Sequence, residues 1–454
     1  SFQDYVDRCT NDVMITDALW NNLLPRFLKV YGCKKMLDKF FRYLEFKMDC
    51  AKEAEKQGWK LDVDLAHSLI DEWTRLQDEK IKELVKVMPM RKLYKTQTRP
   101  KVYQKKDGSL SSHGKKWNDL LEEHGLPSDY IGEVTVVKGT EDPNPNSTDQ
   151  VKDWLFSLGW KPCTYKYNKN KETGEEKKVE QIRKNGELTE SVKLLIDKNP
   201  AVDVLDGLTV LQHRLGIVKG FVDCEENGYV KAEIDGLTNT LRFKHKKPLV
   251  NLPSVEKQYG FDPHLDLARH AKFVTQKQID QHNRGEISLK DIRKNFKVVN
   301  YSATYGVGAE KLARETGMPI YKAKKLLEAY WDRNWSVKKF AEDQPIRRIG
   351  EEMWIQNPVS KFWHSLRYEK DAFSTINQST GSYCFDRWVA IYRNVRSNII
   401  GQFHDESINL IKEGEEKEHT EVLKWAVQKL NEQLKLNVSL GIDVQYGNNY
   451  AEVH

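Results

Sequence analysis

Residues 293–306 read Arg-Lys-Asn-Phe-Lys-Val-Val-Asn-Tyr-Ser-Ala-Thr-Tyr-Gly. Arg293, Lys297, Tyr301 and Tyr305 recur every four residues. At about 100° per residue, each step of four drifts by about 40°, so the four side chains share one slowly turning face of a helix. That face opens with two cations and continues with two aromatic rings. It suits a molecule with a polyphosphate at one end and a flat base at the other, since cations neutralise phosphate and rings stack on bases. Gly306 relaxes the backbone where the helix ends. The same spacing also fits an ordinary amphipathic helix, with its basic residues in solvent and its tyrosines in the core.

Residues 399–411 read Ile-Ile-Gly-Gln-Phe-His-Asp-Glu-Ser-Ile-Asn-Leu-Ile. Two apolar, β-prone runs flank His404-Asp405-Glu406, which predicts a hairpin with an acidic tip. Adjacent carboxylates repel, and a divalent cation is a common reason for tolerating them. A plain polar turn is the alternative.

Together the two stretches resemble the family A DNA polymerases, the bacterial polymerase I type. Arg-x3-Lys-x7-Tyr-Gly is similar to that family's motif B on the fingers helix, and His404-Asp405-Glu406 to its motif C in the palm, in the family's order. Residues 446–454, Tyr-Gly-Asn-Asn-Tyr-Ala-Glu-Val-His, resemble the closing segment, which implies that the true C-terminus is present. The general look is closest to the phage replicative members.

The resemblance implies an α+β right-hand polymerase: helical thumb and fingers, and a palm built on an antiparallel sheet. Residues 1–24 would be the tail of a 3′–5′ exonuclease domain and 25–145 the thumb. Residues 146–260 would be the first part of the palm with the thumb base, 261–348 the fingers, and 349–454 the second part of the palm. The implied activity is DNA-directed addition of deoxynucleotides to a primer 3′-OH, assisted by two Mg²⁺ ions. Asp405 would be a metal ligand, with Glu406 nearby. Arg293 and Lys297 would hold the triphosphate, and Lys297 would protonate the leaving group. Tyr301 would stack by the sugar and base; in this family a tyrosine here implies weak discrimination against dideoxynucleotides. Tyr305 would pack beside the template base. His264, in Asp262-x-His264, would lie near the incoming phosphates. Arg242, in Thr240-x-Arg242 before Pro248 and Asn251-Leu252-Pro253, would reach the minor groove at the primer end. Gln378 and His404 would also face the template–primer, although Ser374 replaces the asparagine that usually precedes Gln378 by one turn.

One family element is missing. Motif A, a strand ending in the second metal-binding aspartate, belongs between the Arg242 segment and the fingers. Here Gln258-Tyr259-Gly260 runs directly into Phe261-Asp262-Pro263-His264. The expectation is an omitted segment at the Gly260–Phe261 junction. The rival is a true deletion, which would leave a catalytically degenerate, polymerase-like DNA-binding protein. A metallohydrolase using His404 and Asp405 is a third reading, without clustered ligands elsewhere.

Bulk properties agree with a soluble DNA-handling protein. A chain of 454 residues predicts two or three units. Charged residues make up 31% and the formal charge is +6, mildly basic and compatible with a polyanion. No apolar run approaches the length of a membrane span. The six cysteines show no CxxC pair, which fits free thiols in a reducing cytoplasm, the host's if the source is a phage. The chain opens at Ser1 rather than Met, so an absent leader carries no weight.

Along the chain, residues 1–24 predict an amphipathic helix. In it Asp12 stands where an exonuclease metal ligand would, and Arg8 replaces the expected tyrosine. Residues 27–88 predict long helices broken at Gly58 and restarted by an Asp62 cap. Residues 91–106 predict a basic loop, placed to contact DNA phosphates or simply solvated. Under the resemblance, residues 91–130 could take a processivity factor, although no motif names one. Ser147 caps a helix over 148–158, 165–178 form a hairpin, and 190–198 and 204–221 are helical. Residues 275–292 predict a polar linker. Two helices follow over 309–341, with Trp331 and Trp335 in the core. A hairpin over 349–361 and helices over 371–394 and 413–434 complete the chain.

Overall fold

The computed structural model of the protein describes residues 2–453 except 171–172, 185–186 and 250–261. Asn251 and the Gly260–Phe261 junction therefore lie outside the described residues. Two compact units emerge: residues 1–61 with 224–454, and residues 62–223.

The first unit opens with α1 (Phe2–Tyr31), which passes through Pro25 and runs beyond the predicted end at residue 24. Arg8 and Asp12 lie on its exposed face. After Gly32 follow α2 (Lys34–Gln57) and, past Gly58 at φ +64°, the short β1 (Trp59–Lys60).

The second unit starts at α3 (Val63–Val87), capped by Asp62 through the Leu65 N–H as the sequence predicts. Then come β2 (Arg91–Gln97), α4 (Ser112–Glu123), β3 (Val134–Glu141) and α5 (Thr148–Ser157). They are followed by β4 (Tyr165–Lys169), β5 (Glu176–Glu180), β6 (Arg183–Lys184), β7 (Glu187–Leu188), α6 (Glu190–Lys193) and α7 (Ala201–Asp223). Ser147 caps α5 and β4 pairs with β5, as expected. The basic stretch is not all loop: Arg91–Gln97 pairs with β3, whose Val134 and Val136 pack on Trp117 and Leu121 of α4. The helix predicted over 190–198 is a single turn, α6. Pro200 holds its predecessor out of helical backbone and separates it from α7. Leu208 of α7 is buried with Leu84, Trp154 and Val202, and Leu215 is buried too, while Arg214 and Lys219 are exposed.

The first unit resumes with β8 (Glu225–Glu226), β9 (Tyr229–Val230), β10 (Ile234–Leu237) and β11 (Phe243–His245). Six helices come next: α8 (Pro263–His270), α9 (Gln276–Asn283), α10 (Lys290–Thr304), α11 (Ala309–Thr316), α12 (Ile320–Arg333) and α13 (Trp335–Glu342). The predicted polar linker 275–292 contains α9, nucleated by a capping box between Thr275 and Gln278. The stretch 309–341 holds three helices, not two, because the chain breaks again at Asn334. That break leaves Trp335 64% exposed, while Trp331 packs on the core as predicted.

The chain closes with β12 (Ile346–Ile349), β13 (Glu352–Gln356), β14 (Trp363–Leu366), α14 (Ala372–Arg393), β15 (Ile399–Phe403), β16 (Glu406–Asn409) and α15 (Glu416–Leu434). The hairpin predicted over 349–361 is part of an antiparallel meander β12–β13–β14. Its second turn is anchored by buried Asn357, whose amide reaches Ser379 and Thr380 on α14. The helices α8–α12 share one core, and α14, α15 and β15 share another with Phe243.

Candidate active site

α10 is a helix because Phe296, Val299 and Ala303 recur at helical spacing and are fully buried. Burial of each large apolar side chain stabilises the packed state by roughly 1.5–3 kcal/mol. This fixes the helix about its axis and turns the opposite face outward. Tyr301 is 51% exposed and Tyr305 49% exposed, so the tyrosines are not core residues, and that alternative falls. Lys297 is exposed and forms no ion pair among the described residues. Tyr305 is the C-cap residue and Gly306 follows at φ +69°, so the helix ends where the glycine predicts.

α8 delivers His264 to this face. Asp262 caps α8 by accepting the N–H groups of His264 (2.9 Å) and Leu265 (3.1 Å). The same carboxylate accepts a hydrogen bond from the Arg293 Nε. Burial works to raise the Asp262 carboxyl, but the Arg293 guanidinium and the two N–H donors outweigh it and hold it below the ordinary value. His264 is buried rather than a surface residue. Its Nδ1 lies 3.2 Å from Asn300 Nδ2, and its ring centroid 5.7 Å from that of Tyr301. Burial lowers its pKa, with Arg293 and Lys297 adding to that effect and Asp262 opposing it. Its ring thus stands beside Tyr301, within the field of Arg293 and Lys297. Gln378 of α14 joins the group through the Tyr305 hydroxyl.

His404-Asp405 forms the two-residue turn between β15 and β16, with Phe403 opposite Glu406 and His404 at φ +54°. His404 and Asp405 are exposed and Glu406 is half-buried. Trp59 supports the hairpin: its Nε1 donates to the Ile400 carbonyl at 2.9 Å, and its ring meets Phe403 edge-on at 5.8 Å. A Cβ at Gly401 would come within 2.8 Å of the Trp59 ring, so only glycine fits there. Burial and the nearby Glu406 carboxylate push Tyr450 up to about 12. The His245 ring lies 4.6 Å from Phe403.

Arg242 stands at the mouth of the β10–β11 hairpin. Its N–H donates to the Thr238 hydroxyl (3.1 Å), and its carbonyl accepts from the Thr238 N–H (2.9 Å). The predicted residues thus gather in three places: Arg293, Lys297, Tyr301, Tyr305, His264 and Gln378; then His404, Asp405 and Glu406; then Arg242. The sequence did not single out Asp262 for Arg293, Asn300 for His264, or Trp59 and Tyr450 for the hairpin. None has a spacing signal, because each partner is distant in sequence.

No group of three or more His, Cys, Asp or Glu side chains able to hold a metal occurs among the described residues. Asp405 and Glu406 are the two carboxylates at the turn.

The α+β fold thus carries a helix face of cations and aromatic rings and a hairpin with an acidic tip. Residues 255–452 match the family model for DNA polymerase family A. DNA polymerase I of Helicobacter pylori strain J99 is 27% identical over 162 residues, covering 36% of this chain and 15% of that protein. The chain therefore matches under a sixth of this curated relative's length. The POL domain of Pol1 from M. smegmatis, solved in complex with DNA primer-template and dNTP, is similar in fold. Its TM-score is 0.55 at 16% identity, over 88% of this chain and 69% of that one.

Proposed function

We propose that the chain is a DNA-directed DNA polymerase that adds deoxynucleotides to a primer 3′-OH, replicative in a phage and working in the host cytoplasm. The observation that carries this reading is the outward face of α10, where Arg293, exposed Lys297 and two half-exposed tyrosines stand beside buried His264. Arg293 and Lys297 hold the triphosphate. Lys297 donates a proton to the departing pyrophosphate. Tyr301 stacks by the sugar and base, and Tyr305 beside the template base. Arg242, Gln378 and His404 face the primer–template.

The thumb (25–145), palm (146–260 and 349–454) and fingers (261–348) are proposals of the same kind, as is a processivity factor docked on residues 91–130. Two Mg²⁺ ions would be held by Asp405 and a second aspartate, expected in a segment omitted at the Gly260–Phe261 junction, outside the described residues. The rival reading is a polymerase-like protein that binds primer–template without extending it. Templated primer extension separates the two. No helix among the described residues is long and apolar enough to cross a membrane.

A further inference from the structure

A closed polar cluster lies outside the groups used above: Tyr43 and Lys47 on α2, Ser382 and Asp386 on α14. The Lys47 and Asp386 side chains are 3% and 1% exposed, with Lys47 Nζ 2.7 and 3.0 Å from the two carboxylate oxygens. The Tyr43 hydroxyl donates to the same carboxylate. As a source of stability such a pair is a poor choice, because desolvation offsets most of the attraction and apolar side chains of equal volume do as well. What it does provide is geometry, since two buried charges must meet in one arrangement.

That geometry converges on the residues flanking Arg242. Lys47 Nζ sits 3.9 Å from the ring centroid of Phe243. The Ser382 hydroxyl lies 3.3 Å from the Leu241 carbonyl oxygen and 3.5 Å from Asp386 Oδ2, bridging the cluster to the hairpin. Leu241 holds φ +66°, a region leucine adopts only where its surroundings enforce it. A Cβ at Gly381 would be 3.8 Å from Arg242 Nη2, so α14 runs alongside the guanidinium. On the far side, His364 Nδ1 is 2.9 Å from the Asn239 carbonyl oxygen. Arg242 Nε is buried and makes no hydrogen bond among the described residues. The supports therefore act on Leu241 and Phe243 rather than on the guanidinium itself.

We propose that Lys47 and Asp386 are positioning residues for Arg242: their buried pair locks α2, α14 and β11 together and so aims the guanidinium at the primer terminus. This rests on the reading of Arg242 as a primer contact.

The test is the dissociation constant of a primer–template duplex, measured on the full chain. Parent, Arg242→Ala, the paired variant Lys47→Met/Asp386→Asn, and the triple combination are compared. Asp386→Asn alone would strand a buried cation and unfold the protein, hence the paired change, with a cooperative melt as the check on folding. Ser382→Ala, which removes only the bridge to Leu241, is a second probe. The paired variant should bind the duplex about tenfold more weakly, the equivalent of about 1.4 kcal/mol. Ser382→Ala should shift affinity in the same direction. The triple variant should bind like Arg242→Ala alone, because the pair acts through that arginine. A merely structural role predicts a lower Tm with parental affinity, which would overturn the proposal. So would a triple variant weaker than Arg242→Ala by the full tenfold. Parental binding by Arg242→Ala would instead remove the reading beneath it.

Discussion

The Gln378 amide Nε2 donates a hydrogen bond to the Tyr305 hydroxyl at 2.9 Å, joining α14 to the end of α10. The bond is exposed, so its net worth is about 0.5–1.5 kcal/mol at most. Its effect is to hold a half-exposed ring at the point where the helix stops. Tyr305→Phe should therefore keep templated extension within about threefold of the parent, since the ring remains. Tyr305→Ala should weaken primer–template binding by roughly 1–3 kcal/mol, the range for a lost base–aromatic stack. Equal affinity of the alanine variant and the parent would contradict the stacking role.

Lys297→Ala should lower the single-turnover rate of nucleotide addition by about 10²–10⁴-fold, the range for lost acid catalysis. Primer–template affinity should hardly change. Equal turnover in variant and parent would refute the assignment.

Gly401→Ala should destabilise the hairpin, because the new methyl would stand 2.8 Å from the Trp59 ring. Overpacking of this kind costs about 1–3 kcal/mol. The melting temperature should fall, and Gly401→Ala with Trp59→Leu should recover part of the loss. An unchanged melting temperature in Gly401→Ala would show that the ring does not confine the turn.

Burial holds the pKa values of His245, His264, His364 and His419 below the ordinary 6.5. The native state thus favours the neutral imidazoles, while the unfolded chain takes up protons as pH falls through about 6.5. The contribution of these groups to stability is complete above that value and is lost as pH drops toward their lowered native values. The carboxylates held low by cations, Asp262 and Asp266, keep theirs until the pH is lower still. The melting temperature should decline between about pH 7 and 5.5. A flat or rising profile over that interval would contradict the burial of these rings.

Much of this architecture was legible because it rests on local signals. The face of α10 follows from a four-residue repeat, the turn at His404-Asp405 from two β-prone runs, and the starts of α3 and α5 from Asp62 and Ser147. The errors have two causes, pairing between segments distant in sequence and local breaks or caps within a segment. Arg91–Gln97 reads as a basic loop because its β-character depends on Val134 and Val136, some forty residues on. Trp335 looks like core by its four-residue spacing from Trp331, but the break at Asn334 turns it into solvent. The choice between tyrosines in the core and tyrosines in solvent was undecidable from α10 alone. It needed the burial of Phe296, Val299 and Ala303 against neighbouring helices. The Asp262–Arg293 and Lys47–Asp386 pairs carry no sequence signal, since ion pairing across 31 and 339 residues leaves no spacing to read.

The central claim is templated nucleotide addition that depends on the hairpin turn. Its most direct test is primer extension by the purified, sequence-verified chain with four deoxynucleotides and Mg²⁺, run beside Asp405→Ala. Extension by the parent that the alanine variant loses is the predicted result. Duplex binding without extension at any Mg²⁺ level would contradict it and leave a polymerase-like DNA-binding protein.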